Sequence, residues 1–170
     1  MAFTVEDGTW VADANANCTV EFVDAYFTDR GNAAWTGVDA VKQQAIVRAT
    51  DYIETVFGPR FRGWKSDADQ SLSFPRTGLY DSIGRAIEGM PTLVQQATAE
   101  YAVRALSAAL MPDPVVDATG GRVLGNRKKV GPIEVETTFS ETAIITIKPY
   151  PAADRLLTSL IATGGRVVRA

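Results

Sequence analysis

The chain contains no histidine at all and only one cysteine in 170 residues. The first absence rules out catalytic triads that use an imidazole base, and zinc sites that use histidine ligands. The second rules out an internal disulfide framework, and Cys18 alone cannot replace the missing metal ligands. Cys18 reads as a small apolar residue rather than a nucleophile, because no base is at hand to activate it. Long apolar runs are missing too. Pairs such as Ile144-Ile145 are short and interrupted, against the roughly 20 residues a membrane-spanning helix needs. Positive charge is not in excess: the net charge is −3 and the isoelectric point is near 5.0, so no globally basic surface exists to attract nucleic acid. The opening MAFTVEDGTW is acidic where a secretion signal is basic and then apolar, which leads us to expect synthesis in the cytoplasm with no membrane partner.

What is present is mainly α-helical in pattern. Residues 1–17 are small, polar and rich in glycine, asparagine and alanine, and read as a loose N-terminal arm with Trp10 as an anchor. A helix is expected over about 19–30, with Thr19 as cap and Val20, Val23, Tyr26 and Phe27 on one face. A second is expected over about 38–57, where Val38, Val41, Ala45, Ala49, Tyr52, Ile53 and Val56 recur at helical spacing until Gly58-Pro59-Arg60 stops it. A third is expected over about 91–110, opened by Pro91 and closed by Pro112 and Pro114. Its alanines at 97, 99, 102, 105, 108 and 109 lie on nearly every side. A helix apolar all round is a buried one, at the centre of the fold or against a neighbouring subunit. The character changes to β at about 121–148. Ile133, Val135, Thr137 and Phe139 alternate with Glu134, Glu136 and Thr138, and a second alternating run covers 143–148, with a further strand near Arg122–Leu124. A short helix over 152–163 carries Leu156, Leu157, Leu160 and Ile161, and 164–170 is a flexible tail. The expected fold is therefore a small helical bundle with a long interhelical loop and a β-hairpin or small antiparallel sheet before a short C-terminal helix. The main domain spans 18–163.

Three near-motifs fail on inspection. GGRVLGNR from Gly120 has P-loop glycine spacing, but Asn126 and Arg127 stand where a lysine and a hydroxyl residue must be. DADQS from Asp67 opens like a calcium loop, yet Leu72 occupies the glycine position and Gly78 the bidentate glutamate position. Asp67, Asp69 and Asp81 would suit a two-metal nuclease, but capping and solvated-loop roles are much commoner for such residues. The sequence thus offers no catalytic, cofactor or metal site. Arg127, Lys128 and Lys129, with Arg122 nearby, form a basic run at the expected hairpin. They are candidate DNA-facing residues, although such a run also keeps a sheet edge soluble.

The most unusual segment is RFRGWKSDADQSLSFPRTGLYD, residues 60–81. A loop this long inside a compact domain is functional or disordered, and this one is too rich in anchoring groups for disorder. Trp64, Leu72, Phe74 and Pro75 can pack onto the helices and pin it.

Four stretches occur in an order that resembles a known family: KQQAIVRATDYIET, then RFRGWKSDADQSLSFPRTG, then MPTLVQQATAEYAVRAL, then KKVGPIEVE. The pattern is met at Ala45, Ile46, Ala49, Tyr52, Ile53, Arg60, Phe61, Gly63, Gln70, Leu72, Phe74, Pro75, Arg76, Pro91, Val94, Ala97 and Glu100. Phe74 stands where tryptophan is common. The series is similar to the small neck proteins of tailed bacteriophages, the head–tail connectors often labelled "DnaT-like". The resemblance implies a non-enzymatic adaptor found in the virion, between capsid and tail. About twelve copies would close into a head-to-tail ring beneath the portal protein, which needs two complementary faces on each copy. Such a ring would extend the channel for genomic DNA and dock a tail-side neck or tail terminator protein. On this reading Arg60, Arg62, Trp64, Arg76 and Arg85 sit at the seam between copies, because arginine and tryptophan dominate interface energetics. Leu72, Phe74 and Pro75 anchor the loop, and Arg166, Val167, Val168 and Arg169 dock the portal. The helix over 91–110 and the hairpin supply the two faces. The alternative, which the label itself suggests, is a single-stranded-DNA-binding replication protein. Stacking platforms for bases interleave exposed aromatics with basic residues, and RFRGWK at 60–65 has that composition.

Overall fold

The computed structural model describes residues 2–113, 122–129, 134–140 and 148–162. The chain divides into two compact units, Met1–Leu110 with Pro149–Ala170, and Met111–Lys148.

The larger unit is helical. Helix α1 (Val20–Thr28) starts where expected: the Thr19 hydroxyl oxygen accepts from Phe22 N at 3.2 Å, and Val20, Val23, Tyr26 and Phe27 are buried on one face. Helix α2 (Asp39–Val56) buries Ala45, Ile46, Ala49, Tyr52 and Ile53. Gly58–Arg60 then forms a 3-10 turn, since Pro59 has no N–H with which to continue an α-helix. Helix α3 (Thr92–Ala105) packs against α1, α2 and α4 (Pro151–Leu157). From Leu93 to Leu106 every residue is at least partly buried. The all-round alanine pattern therefore marks the central helix, covered within its own chain by three others.

Aromatic rings weld these helices together. Tyr52 on α2 lies 4.8 Å, centroid to centroid, from Tyr101 on α3, and both meet Tyr150, just before α4, at 5.8 Å. The Tyr101 hydroxyl donates to Asp154 of α4, whose other oxygen accepts from Tyr150 N at 2.8 Å. Burial, followed by the Asp154 hydrogen bond and charge, raises the Tyr101 phenol well above its usual range.

Two helix boundaries and one segment differ from the pattern reading. Helix α3 stops at Ala105, not near 110: the Ser107 amide and hydroxyl both donate back three residues to Arg104 O at 3.1 Å, which tightens the last turn out of the α pattern. Helix α4 stops at Leu157 and passes through a 3-10 turn (Thr158–Leu160), after which Ile161 turns extended to bridge Phe61. Residues 2–17 are no loose arm. Val5 bridges Ala16, while Ala14, Ala16 and Asn17 are buried. The Glu6 carboxylate, also buried, accepts from Gly8 N at 2.9 Å and Val11 N at 2.8 Å. Asn17 pins the segment to α2 and α3 by donating to the hydroxyls of Thr50 (3.2 Å) and Thr98 (3.3 Å). Trp10, expected to anchor the segment, is exposed.

In the smaller unit, β3 (Arg122–Lys129) pairs antiparallel with β4 (Glu134–Ser140), with a register slip between Val123 and Gly125. The first strand is thus longer than the Arg122–Leu124 stretch expected. The run over 143–147 and the tail over 164–170 lie outside the described residues.

Cys18 is fully buried, and burial pushes its thiol pKa up to about 12. A raised pKa means less thiolate at any given pH. At pH 8 the native protein should leave a chromogenic disulfide reagent unconsumed over minutes. In denaturant the single thiol should react promptly. Fast stoichiometric reaction of the native protein would show that the N-terminal segment does not cover the core.

Candidate functional site

The loop between α2 and α3 is built inward from a few polar side chains. Its two short strands, β1 (Trp64–Lys65) and β2 (Arg76–Thr77), pair antiparallel with Trp64 opposite Thr77 and Lys65 opposite Arg76. At Gly63 the backbone has φ +73°, and a Cβ there would collide with the Thr77 carbonyl oxygen. Only glycine suits that position.

Inside the turn, Gln70 does the work of missing secondary structure. Its amide nitrogen donates to the carbonyls of Leu72 (2.8 Å) and Pro75 (3.1 Å), and its amide oxygen accepts from Asp67 N at 3.0 Å. A carboxylate from α2 staples the other side: Glu54 accepts from Ser73 N at 3.0 Å and from Ser73 Oγ at 2.6 Å. Leu72, Phe74 and Pro75 are buried, and Phe74 meets Phe61 edge-on at 4.8 Å; the Phe74–Pro75 peptide is cis. Nothing in composition or periodicity singles out Gln70 and Glu54 for these roles. Gln70 falls within the motif series, and that was its only signal.

The arginines divide by what they touch. Arg76 directs its guanidinium into its own loop: Nε to Arg62 O at 2.8 Å, Nη2 to Gly63 O at 2.6 Å and Phe61 O at 3.2 Å, and Nη1 to Ser73 O at 3.2 Å. Partial burial lowers its pKa, and the Glu54 charge opposes that shift. Arg62 Nη2 donates to Tyr80 O at 3.1 Å and to Ser159 O. Arg85 Nε pairs with Asp81 at 2.8 Å. Hydrogen bonds from the Arg85 backbone, then from its side chain, hold the Asp81 carboxyl below the usual range. Arg60 is exposed, with its guanidinium 5.7 Å from the Phe57 ring centroid. Lys65 is exposed and places one Nζ–H on Gln70 O at 3.0 Å.

Trp64 departs from the expectation that it would pack onto the helices. It is 74% exposed, and its ring rests across Gly78, where a Cβ would come within 2.9 Å of Cζ3. A flat indole supported from below by glycine, with exposed Arg62 and Lys65 on either side in sequence, presents a π face to solvent. Tyr80 and Ile83 are exposed further along the same loop.

The remaining candidates belong to other parts of the chain. Arg127, Lys128 and Lys129 occupy strand positions on β3 opposite Glu136, Val135 and Glu134 in register, so acidic positions face two of the three. The failed P-loop motif ends in that strand. Arg166, Val167, Val168 and Arg169 lie outside the described residues. Asp67 accepts from Asp69 N at 2.8 Å, a turn role, and among the described residues no group of three or more acidic, cysteine or histidine side chains is placed to hold a metal.

A family model described as "Putative DnaT-like ssDNA binding protein" matches residues 1–170. No curated protein and no solved structure matches the chain.

Replacing Arg76 with lysine keeps the charge but removes the planar fork that reaches four carbonyls. Arg76→Lys should cost about 2 kcal/mol in urea denaturation, the scale of one charged hydrogen bond with its partner left unmet. It should also open the 64–76 stretch to limited proteolysis. Unchanged stability would mean that the guanidinium does not organise the loop.

Proposed function

The chain belongs to the DnaT-like family, and from that premise we propose that it binds single-stranded nucleic acid through the Arg60–Lys65 face, without chemical turnover. The observation that carries this reading is the indole of Trp64, held flat and open to solvent between exposed basic residues. An unpaired base has a π face free to stack on such a ring, whereas a base within a duplex does not. Arg60 and Lys65, exposed on either side of Trp64 in the sequence, carry N–H groups available to phosphates. The acidic total charge does not oppose this. Contacts with a strand are set by charges within about one Debye length, about 10 Å at 0.1 M salt, and there residues 60–65 supply three cations against the Asp67 and Asp69 carboxylates of the adjoining turn.

A second reading is supported by the order of the four sequence motifs and by the exposed Trp64, Tyr80 and Ile83 on one loop. In it, the same loop is the seam between copies in a head–tail connector ring of a phage virion. The portal and a tail-side protein are then the partners, and genomic DNA passes through without being gripped. The two readings part on one measurement. A strand-binding protein takes up labelled oligo(dT) at low salt with sub-micromolar affinity and loses it steeply as salt rises, by about 0.7 log unit per log unit of salt for each phosphate neutralised.

In the same titration Trp64→Ala should weaken binding about five- to 150-fold, the equivalent of about 1–3 kcal/mol for one stacked base. Its fold should be undisturbed, since the ring is exposed. Absence of binding by the parent, or equal binding by Trp64→Ala, removes the first reading. Ring formation on mixing with portal protein would then favour the second.

A further inference from the structure

Two stretches of the larger unit that are far apart in sequence, 60–62 and 159–162, meet at the root of the loop. The Arg62 amide donates to Leu160 O at 2.9 Å, the Ala162 amide donates to Arg60 O at 2.8 Å, and Phe61 bridges Ile161 in antiparallel fashion. Phe61, Leu160 and Ile161 are buried at this junction. The Arg62 side chain closes it from outside, with Nη2 shared between Ser159 O on the C-terminal segment and Tyr80 O on the far limb of the loop.

Arg62 looks from sequence like a phosphate-binding cation beside Trp64. Its geometry assigns it a different task. A guanidinium shared between two backbone carbonyls has N–H groups committed to holding three stretches in one arrangement: 60–62, Tyr80 and Ser159. Trp64 lies two residues beyond this knot, and Gly78, on which the indole rests, lies two residues before Tyr80. Spreading the knot would separate the ring from its support.

We infer that the C-terminal segment 158–162 is a clasp that shapes the Trp64 surface, and that Arg62 is the positioning residue that fastens it rather than a contact to the bound strand. The function of this surface rests on the strand-binding reading, but the clasp itself does not. Any partner that draws residues 158–162 away from Phe61 and Arg62 would loosen the loop, so this segment becomes a point of control over binding at a surface formed some hundred residues earlier in the sequence.

The test compares Arg62→Gln with Lys65→Gln in the full-length protein. Oligo(dT) titrations at several salt concentrations are combined with amide hydrogen exchange. Lys65→Gln should reduce the salt slope by about 0.7, as for one lost phosphate contact. Arg62→Gln should weaken binding about tenfold with the slope unchanged, and should speed exchange at the amides of Arg62, Ser66 and Ala162. A slope reduced by Arg62→Gln with exchange unaltered would make Arg62 a phosphate ligand and overturn the clasp. If the parent protein binds no oligonucleotide, strand binding fails on its own. The exchange arm still decides the clasp, because unchanged exchange in Arg62→Gln refutes it and faster exchange at those amides upholds it.

Discussion

The guanidinium of Arg76 is the point on which the rest of the loop depends. A connection of this length between two helices carries many backbone carbonyls that neither a helix nor a wide sheet can satisfy, and buried carbonyls must find donors. A planar group with five N–H donors is an economical answer. Arg76 serves four carbonyls from two limbs of the chain, bringing 61–63 and 73 around a single charge. Glu54 lies close enough on α2 to favour that charge while holding Ser73. Gln70 completes the interior with an amide that both donates and accepts. With its polar interior satisfied, the loop can hold Trp64 outward without collapsing onto it.

This arrangement needs a firm base, which α3 supplies. Alanines at 97, 99, 102 and 105 let neighbouring helices approach closely on several sides, and the buried Tyr101 ring packs against Tyr52 and Tyr150. The hydroxyl of Tyr101 would be costly to bury without a partner. Asp154 provides one and in doing so fixes the start of α4. The short run from α4 to Ala162 is thereby aimed at the root of the loop, where it pairs with 60–62. Core and loop are joined by both the preceding helix and the following one.

Helices were legible in the sequence because burial on one face leaves a period. Val20, Val23, Tyr26 and Phe27 mark α1 directly, and alanine on all sides of α3 announced its central place. Ends were less legible. A serine side chain at 107 competes for a helix carbonyl, which no periodicity records. The N-terminal segment reads as solvent-facing because its residues are polar, whereas Glu6 accepts two backbone N–H groups and Asn17 donates to two threonine hydroxyls, which holds both side chains inside although Asn17 Oδ1 has no partner there. For the loop, the residue types were visible but their directions were not. Charge can be read from a sequence. Whether an arginine points at its own carbonyls or at a partner depends on where glycines let the backbone turn, as Gly63 and Gly78 do here.

That difference in direction bears on the choice between readings of the loop. A seam between copies fastened by arginines needs guanidinium groups free to reach a neighbour's carboxylates, because pairing gains little unless both charges leave water together with their hydrogen bonds met. Arg76 and Arg62 are engaged with backbone carbonyls of their own chain, and Arg85 with Asp81. Facing outward are the indole, Tyr80, Ile83, the Arg60 side chain and part of the Lys65 ammonium, with Arg85 exposed on its ion pair to Asp81. Stacking with loose phosphate contacts asks for little more than this, because neither requires a fixed partner geometry. A seam built from the same remainder would have to be largely apolar, centred on Trp64, Tyr80 and Ile83. The arginines that the resemblance placed at that seam would then serve it only indirectly, by holding those side chains in position.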